Sequence, residues 1–411
     1  MTFAPSLRGA SAPASPIRRL TPYADRAKQR GLEVIHLNIG QPDVATPRTV
    51  IDAYHHFDDK VLAYGASEGS LDYRQALAAY YNGLGAHRGG PEILPSDVVV
   101  TTGGSEALLF AIAATCDPGD ELLVAEPYYP NYHGFAHLLS VQVKPVTTFG
   151  TSGFSLSADQ VEAALGPRTK AVVLSSPGNP TGAVLSSTQL RSIGDVCVKH
   201  GVFFICDEVY RDFVYDDEIR EGGTTSPSIL AQPGLSECAI MVDSVSKRYS
   251  ACGARVGCLV TRNTAIRAAI VKIAQARLSP PVVDMLAAQA ALATPASELA
   301  AVTAEYRRRR DALVLGLSAI PGVSARTPQG AFYLVVRLPV DDAERFCIYL
   351  LEQFDLDGHT LMLAPADGFY ATTGLGKQEV RAAYVLEVEK LQRACDILRA
   401  ALAAYPGAVP A

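Results

Sequence analysis

The stretch Ala171–Tyr210, "AVVLSSPGNPTGAVLSSTQLRSIGDVCVKHGVFFICDEVY", decides the fold. It holds two continuous apolar runs, "AVVLSSP" (171–177) and "VFFICDE" (202–208), with a helical pattern, "SSTQLRSIGDVCVKHG", between them. Neither run alternates apolar with polar residues, so both faces of each strand need cover, as in a buried parallel sheet. Strand, helix and strand in succession make a βαβ unit.

The alternation continues in both directions. "DVVVTT" (97–102) precedes "SEALLFAIAAT", and "ELLVAEP" (121–127) precedes "NYHGFAHLL". "CAIMVDSVS" (238–246) and "GCLVTRN" (257–263) follow. The pattern predicts an α/β protein with a three-layer αβα large domain over 49–304 and a mostly parallel sheet. Beyond residue 305 the character changes. "ASELAAVTAEYRRRRDALVLGLSAI" reads as a long charged helix, followed by "GAFYLVVRL", a helix, a loop and a terminal helix. Residues 305–411, with 1–48 packed on them, are expected to form a smaller α+β domain. The basic run "YRRRRD" (306–311) reads as a solvated helix face.

Composition narrows the function. The chain has 411 residues, 48% apolar and 19% charged, enough for a large core. A net charge of −6 argues against a nucleic-acid binder. Eight cysteines without a CxxC pair suggest neither zinc nor a disulfide framework, and favour a reducing, cytoplasmic setting. Eight histidines form no HExxH pattern, and no metal is expected. "MTFAPSLRGASAPASPIRRL" lacks the apolar core of a signal peptide and reads as a flexible tail. "PVVDMLAAQAALATPASELAAV" carries Asp284, Gln289 and Glu298 and is broken by Pro295, so it reads as buried or amphipathic helix, not a membrane span.

Chemistry in open α/β sheets gathers at the carboxyl ends of strands. After "DVVVTT", Gly103 and Gly104 precede a helix expected to start at Ser105. The plain reading is a tight turn; the functional one is a phosphate cradle at a helix N-terminus. In "SSPGNPTG", Asn179 belongs to an ordinary exit loop or aims its amide into a site. In "FFICDEVY", Asp207 ends a very apolar strand, where a carboxylate is costly to bury without a cation, and Tyr210 follows nearby. In "DSVSKRYSACGARVG" (243–257), Lys247 and Arg255 stand among small residues. By itself Lys247 is a surface lysine; beside the others it is a candidate nucleophile. A phosphate cradle, an amide, an acid with a tyrosine, a lysine and an arginine together match what pyridoxal phosphate needs.

With these motifs the sequence resembles the class I/II aminotransferases of the fold-type-I pyridoxal-phosphate enzymes, from "LNIGQPD" (37–43) to "VRAAYVL" (380–386). "NPTG" (179–182), "DEVY" (207–210) and "SKxxxxxGxRxG" (246–257) fall in the family's order and spacing, and "YGASEGSLDYR" (64–74) is a looser match. The resemblance implies that Lys247 forms the Schiff base and carries the proton, and that Asp207 holds the pyridine nitrogen protonated. It implies that Asn179 and Tyr210 bond the phenolic oxygen. It assigns the phosphate to Gly103, Gly104, Ser105, Ser244, Ser246 and Arg255, helped by Tyr64 from the neighbouring subunit of a homodimer. Tyr129 would stack on the ring, Arg381 would clamp the substrate α-carboxylate, and Gly40 and Asn179 would line the substrate side. Ala382 stands where a larger aliphatic residue is usual, which would leave space beside the carboxylate site.

The expected reaction passes the amino group of an L-amino acid to a 2-oxo acid by ping-pong kinetics. The same constellation also supports elimination, cyclisation or oxygen-dependent oxidation. A third reading, an aminotransferase-like sensor fused to a DNA-binding domain, needs a helix-turn-helix segment that the residues before "SPIRRL" do not supply. A dicarboxylate substrate would need a second cation; Arg277, in "QARLSPP", is the candidate, against a capping or interface role.

Overall fold

The computed structural model describes residues 3–58, 60–216, 218–220 and 225–409. Among them, seven strands form the main sheet. Its order is Val98–Thr101, Gly257–Val260, Ala239–Ser244, Phe203–Asp207, Thr169–Ser175, Glu121–Glu126 and Gln142–Thr147. All run parallel except Gly257–Val260, which is antiparallel to both neighbours. The continuous apolar runs are these strands, and helices such as Gly103–Thr115 and Ser187–His200 connect them. The α/β class with a mostly parallel sheet is the observed one.

One strand of this main sheet escaped the sequence reading. Gln142–Thr147, "QVKPVT", pairs only with Glu121–Glu126 and places Pro145 opposite Val124. An edge strand tolerates a proline because its missing N–H faces no neighbour.

A second set of elements packs beside this sheet. Ala364–Pro365, Glu379–Ala383, Tyr333–Arg337 and Ser324–Ala325 form an antiparallel sheet, in that order. Glu33–His36 pairs in parallel with His359–Met362. Leu20, Ala24 and Ala27 share a core with Leu313, Leu350, Leu391 and Leu398.

Three local expectations are corrected. First, the arginine run in helix Ala296–Ser318 is not a solvated face. Tyr306, Arg309, Arg310, Leu313 and Leu317 recur at helical spacing and are buried together. Arg309 reaches Asp43 at 2.6 Å, and Arg310 donates to the Pro328 carbonyl at 3.0 Å. Second, the N-terminal tail is docked over its last residues. Pro16 is buried, and a Cβ on Gly368 would stand 2.4 Å from its ring. Ile17 packs on Ala364, Ala366 and Phe369. Third, Ala382 does not face the carboxylate site. Along strand Glu379–Ala383 it points opposite to Arg381, into the core with Leu37, Val336 and Leu398.

All eight cysteines are unpaired, and Cys252 alone is only half-buried. Among the described residues no group of histidines, cysteines and carboxylates could hold a metal ion. No single helix there is long and apolar enough to cross a membrane. Val282–Ala291 and Ala296–Ser318 qualify only as a pair bent by 90°.

Candidate active site

The carboxyl ends of the central strands open on a cavity of ≈ 690 Å³. Because Gly257–Val260 runs antiparallel, its first residue meets Thr101 and Ser244 at the same edge. The fold therefore gathers residues from positions 101, 207, 244 and 257 in one place.

Helix Gly103–Thr115 begins two residues earlier than the sequence suggested, with the glycines in its first turn. Gly103 adopts φ +73°, and a Cβ there would lie 2.6 Å from Arg255 Nη2. A Cβ on Gly257 would lie 2.6 Å from the Gly103 carbonyl carbon. Glycine thus lets the helix N-terminus, the start of the antiparallel strand and the Arg255 guanidinium crowd together. Gly104, Ser105, Ser244, Ser246 and Arg255 all line the cavity at this end. Ser244 Oγ donates to the Val256 carbonyl at 2.9 Å and accepts from the Ser246 N–H at 3.2 Å. Unpaired helix N–H groups, hydroxyls and a guanidinium together form an anion site.

Lys247 stands on the short helix Val245–Arg248. Its Nζ donates to the Gly40 carbonyl at 2.8 Å and lies 3.6 Å from Cys252 Sγ. The neighbouring Arg248 points the other way. It is buried, pairs with Asp243 at 2.8 Å and also with Asp212, and Tyr81 donates to Asp243 at 3.0 Å. This buried network anchors the turn that presents Lys247 to the cavity.

Asp207, at the end of strand Phe203–Asp207, is 5% exposed. Tyr132 donates to its Oδ2 at 2.8 Å and the Val209 N–H to its Oδ1 at 3.3 Å. Burial outweighs both bonds and pushes the carboxyl from its ordinary 3.8 to about 6. Among the described residues it has no salt-bridge partner, so a ligand cation at this point would offset its burial cost.

Arg381, 1% exposed, also lines the cavity. It donates to Asn179 Oδ1 at 3.1 Å and to the Asn38 carbonyl, and its guanidinium lies 4.4 Å from the Tyr333 ring centre. Its Nε is buried without a hydrogen-bond partner. A buried cation with an unsatisfied donor is suited to a carboxylate. Tyr210 shares a 2.9 Å hydrogen bond with the Tyr333 hydroxyl. Gly40 admits that ring: a Cβ on Gly40 would stand 1.7 Å from Tyr333 Oη. Tyr129 also lines the cavity, and burial raises its phenol to about 12.

The structure thus brings together Gly40, Gly104, Ser105, Tyr129, Asn179, Asp207, Tyr210, Ser244, Ser246, Lys247, Arg255 and Arg381. Gly103 lies directly behind Arg255. Tyr64 is not among them: it is 83% exposed and outside its own chain's cavity. Arg277 is outside as well. It donates to the Ser67 carbonyl at 2.9 Å and faces Glu106 at 3.7 Å. The sequence reading missed Tyr132, Tyr333 and Arg18. Tyr132 was visible in "PYYPNY" and Tyr333 in "GAFY", but only the fold shows what each reaches.

The donor set fits pyridoxal phosphate. An anion cradle lies at one end, a buried carboxylate stands ready for a ring nitrogen, a primary amine is on the wall, and a guanidinium with a free donor faces the substrate side.

The family model for aminotransferase class I and II matches residues 33–398. An aspartate aminotransferase of Rhizobium meliloti is 32% identical over 96% of this chain and 97% of its own. An arginine–pyruvate transaminase of Pseudomonas aeruginosa is 32% identical over 89% of each chain. Among solved structures, an aspartate aminotransferase of Thermotoga maritima superposes with a TM-score of 0.86 at 30% identity, covering 97% of this chain and all of that one.

Proposed function

The chain belongs to the class I and II aminotransferases, and from that premise we propose how this cavity serves the reaction. The protein is a pyridoxal-phosphate-dependent aminotransferase that moves the amino group of an amino acid to a 2-oxo acid. The observation that carries the assignment of roles is the convergence of Lys247, Asp207, Arg381 and a helix N-terminus on one cavity.

Pyridoxal phosphate supplies an aldehyde that condenses with primary amines and a ring that accepts an electron pair from the amino-acid Cα. Gly103, Gly104, Ser105, Ser244, Ser246 and Arg255 would hold the phosphate through N–H, O–H and guanidinium donors. Asp207 would keep a proton on the ring nitrogen, since a buried carboxylate and that cation would stabilise each other. Asn179 and Tyr210 would donate to the phenolic oxygen. Tyr129 covers one ring face.

Lys247 Nζ is the amine on the wall. With the cofactor bound, Nζ would serve as the base and acid that takes the Cα proton of the amino acid and gives it back. Arg381 grips the α-carboxylate and sets which Cα bond faces Lys247. Gly40 leaves its carbonyl for Lys247 and its missing side chain for Tyr333.

Tyr64 reaches the phosphate of a partner subunit, which makes the working unit a homodimer; its 83% exposure in one chain supports this. The large domain spans 49–304, and 1–48 with 305–411 form the smaller one. The main sheet within 98–260 and the separate small sheets support that division. Eight unpaired cysteines support a reducing, cytoplasmic setting.

The test is spectroscopic. An amino donor added to the holoenzyme without acceptor shifts the cofactor's visible absorbance, and a 2-oxo acid added afterwards restores it. Lys247→Ala abolishes the cycle. A panel of donors that leaves the absorbance unchanged would sink the reading. The relatives named above include both an aspartate and an arginine enzyme, so the family does not fix the donor.

A further inference from the structure

We propose that Arg18 is the receptor for an anionic side chain on the amino donor, so that the preferred substrates are acidic amino acids and their 2-oxo acids. The inference rests on the aminotransferase reading above.

The charge inventory of the cavity carries it. Among the described residues four cationic side chains line it, Arg18, Lys247, Arg255 and Arg381, against one carboxylate, Asp207. Cofactor and amino acid engage all but one. On the aminotransferase reading Arg255 would take the phosphate, Lys247 the aldehyde carbon, Asp207 the ring nitrogen, and Arg381 the α-carboxylate. Arg18 alone is left without an anion.

No carboxylate within the described residues takes it. Arg18 makes no ion pair there, whereas Arg19, next to it, pairs with Glu344 at 2.9 Å and also with Asp367. The two successive arginines diverge, one into a surface network and one into the cavity.

Its backbone is held in place. Pro16 sits in the space left by Gly368, and Ile17 packs on Phe369. The Ile17 carbonyl accepts from Asn38 Nδ2 at 3.0 Å. The carbonyl of the same Asn38 accepts from Arg381. One residue therefore ties the segment carrying Arg18 to the α-carboxylate site. Arg18 and Arg381 also act together on Tyr129, where both charges oppose the rise of its phenol. Arg18 is thus on the substrate side, and its exposure leaves the guanidinium free to meet a carboxylate in a bidentate pair. A basic donor would face an uncompensated like charge. Arg277, the other candidate cation, does not line the cavity: it donates to the Ser67 carbonyl and faces Glu106 at 3.7 Å.

The experiment compares wild-type holoenzyme with Arg18→Ala, Arg18→Lys and Arg277→Ala. One readout is calorimetric binding of succinate, an unreactive dicarboxylate, against butyrate. The other is kcat/KM for cofactor conversion by aspartate, glutamate, alanine and arginine. The expected result is tighter binding of succinate than butyrate in the wild type. In Arg18→Ala that preference, and the ratio of acidic-donor to alanine kcat/KM, each fall by about tenfold. Arg18→Lys keeps part of both. Equal losses for all ligands, no loss, a selective loss in Arg277→Ala alone, or a wild-type preference for arginine would each overturn the proposal. The two readings fail differently. If no donor converts the cofactor yet Arg18→Ala still loses succinate selectively, aminotransfer is wrong and the anion receptor stands. If donors convert it and Arg18→Ala is unselective, only the receptor is wrong.

Discussion

Replacing Asp207 by Asn should stabilise the cofactor-free protein at alkaline pH while disabling the enzyme. In the folded chain burial raises this carboxyl from 3.8 to about 6. Between those values the folded chain keeps a proton that the unfolded chain has released. Stability therefore falls as pH rises through the window and stays reduced above it. A shift of that size corresponds to about 3 kcal/mol. Asparagine carries no charge, so it escapes this penalty. Its Oδ1 still accepts from Tyr132, but its NH₂ then faces the Val209 N–H, losing one hydrogen bond of about 1 kcal/mol. The variant should therefore be about 1 kcal/mol less stable than wild type near pH 4 and about 2 kcal/mol more stable at pH 8. Urea midpoints of the two cofactor-free proteins at the two pH values measure the difference. Turnover of the reconstituted variant should drop by about a hundredfold or more, because the ring nitrogen loses its anion. A stability difference of the same sign and size at both pH values would refute the reasoning.

Arg381→Lys should lower kcat/KM for every donor by at least about thirtyfold, since a buried hydrogen-bonded charge pair is worth about 2–5 kcal/mol; steady-state kinetics across several donors reads this. Gly40→Ala puts a methyl group 1.7 Å from Tyr333 Oη, so the ring must move and activity should fall while the secondary structure persists, as circular dichroism would show. Tyr333→Phe removes the 2.9 Å bond to Tyr210 and should move the pH profile of kcat as well as its height, which a merely structural loss would not do. Lys247→Ala and Tyr64→Ala subunits, each impaired alone, should regain activity when mixed and reassembled, because one site of the mixed dimer then has both residues; no recovery would place Tyr64 outside the site.

The sheet was readable because its strands are buried on both faces and so appear as unbroken apolar runs. Gln142–Thr147 was not, because an edge position tolerates Lys144 and Pro145. Helical spacing alone could not tell whether "YRRRRD" faced water or core; Asp43 and the Pro328 carbonyl, far apart in sequence, supply the partners that bury Arg309 and Arg310. At the site, Asp207 stood out as a carboxylate ending an apolar strand, and Lys247 and Arg255 as charges among small residues next to strands. Tyr132, Tyr333 and Arg18 did not, since an aromatic or arginine is ordinary in its own segment. Only the path of the chain past Asn38 and Gly368 carries Arg18 to the cavity.

The central claim is that this cavity moves an amino group between two carbon skeletons. Incubation of the holoenzyme with a ¹⁵N-labelled amino donor and an unlabelled 2-oxo acid, followed by mass analysis of the products, tests it directly. The account predicts that the new amino acid carries the label and that Lys247→Ala produces none. Release of the label as free ammonia, with no labelled amino acid formed, would contradict it.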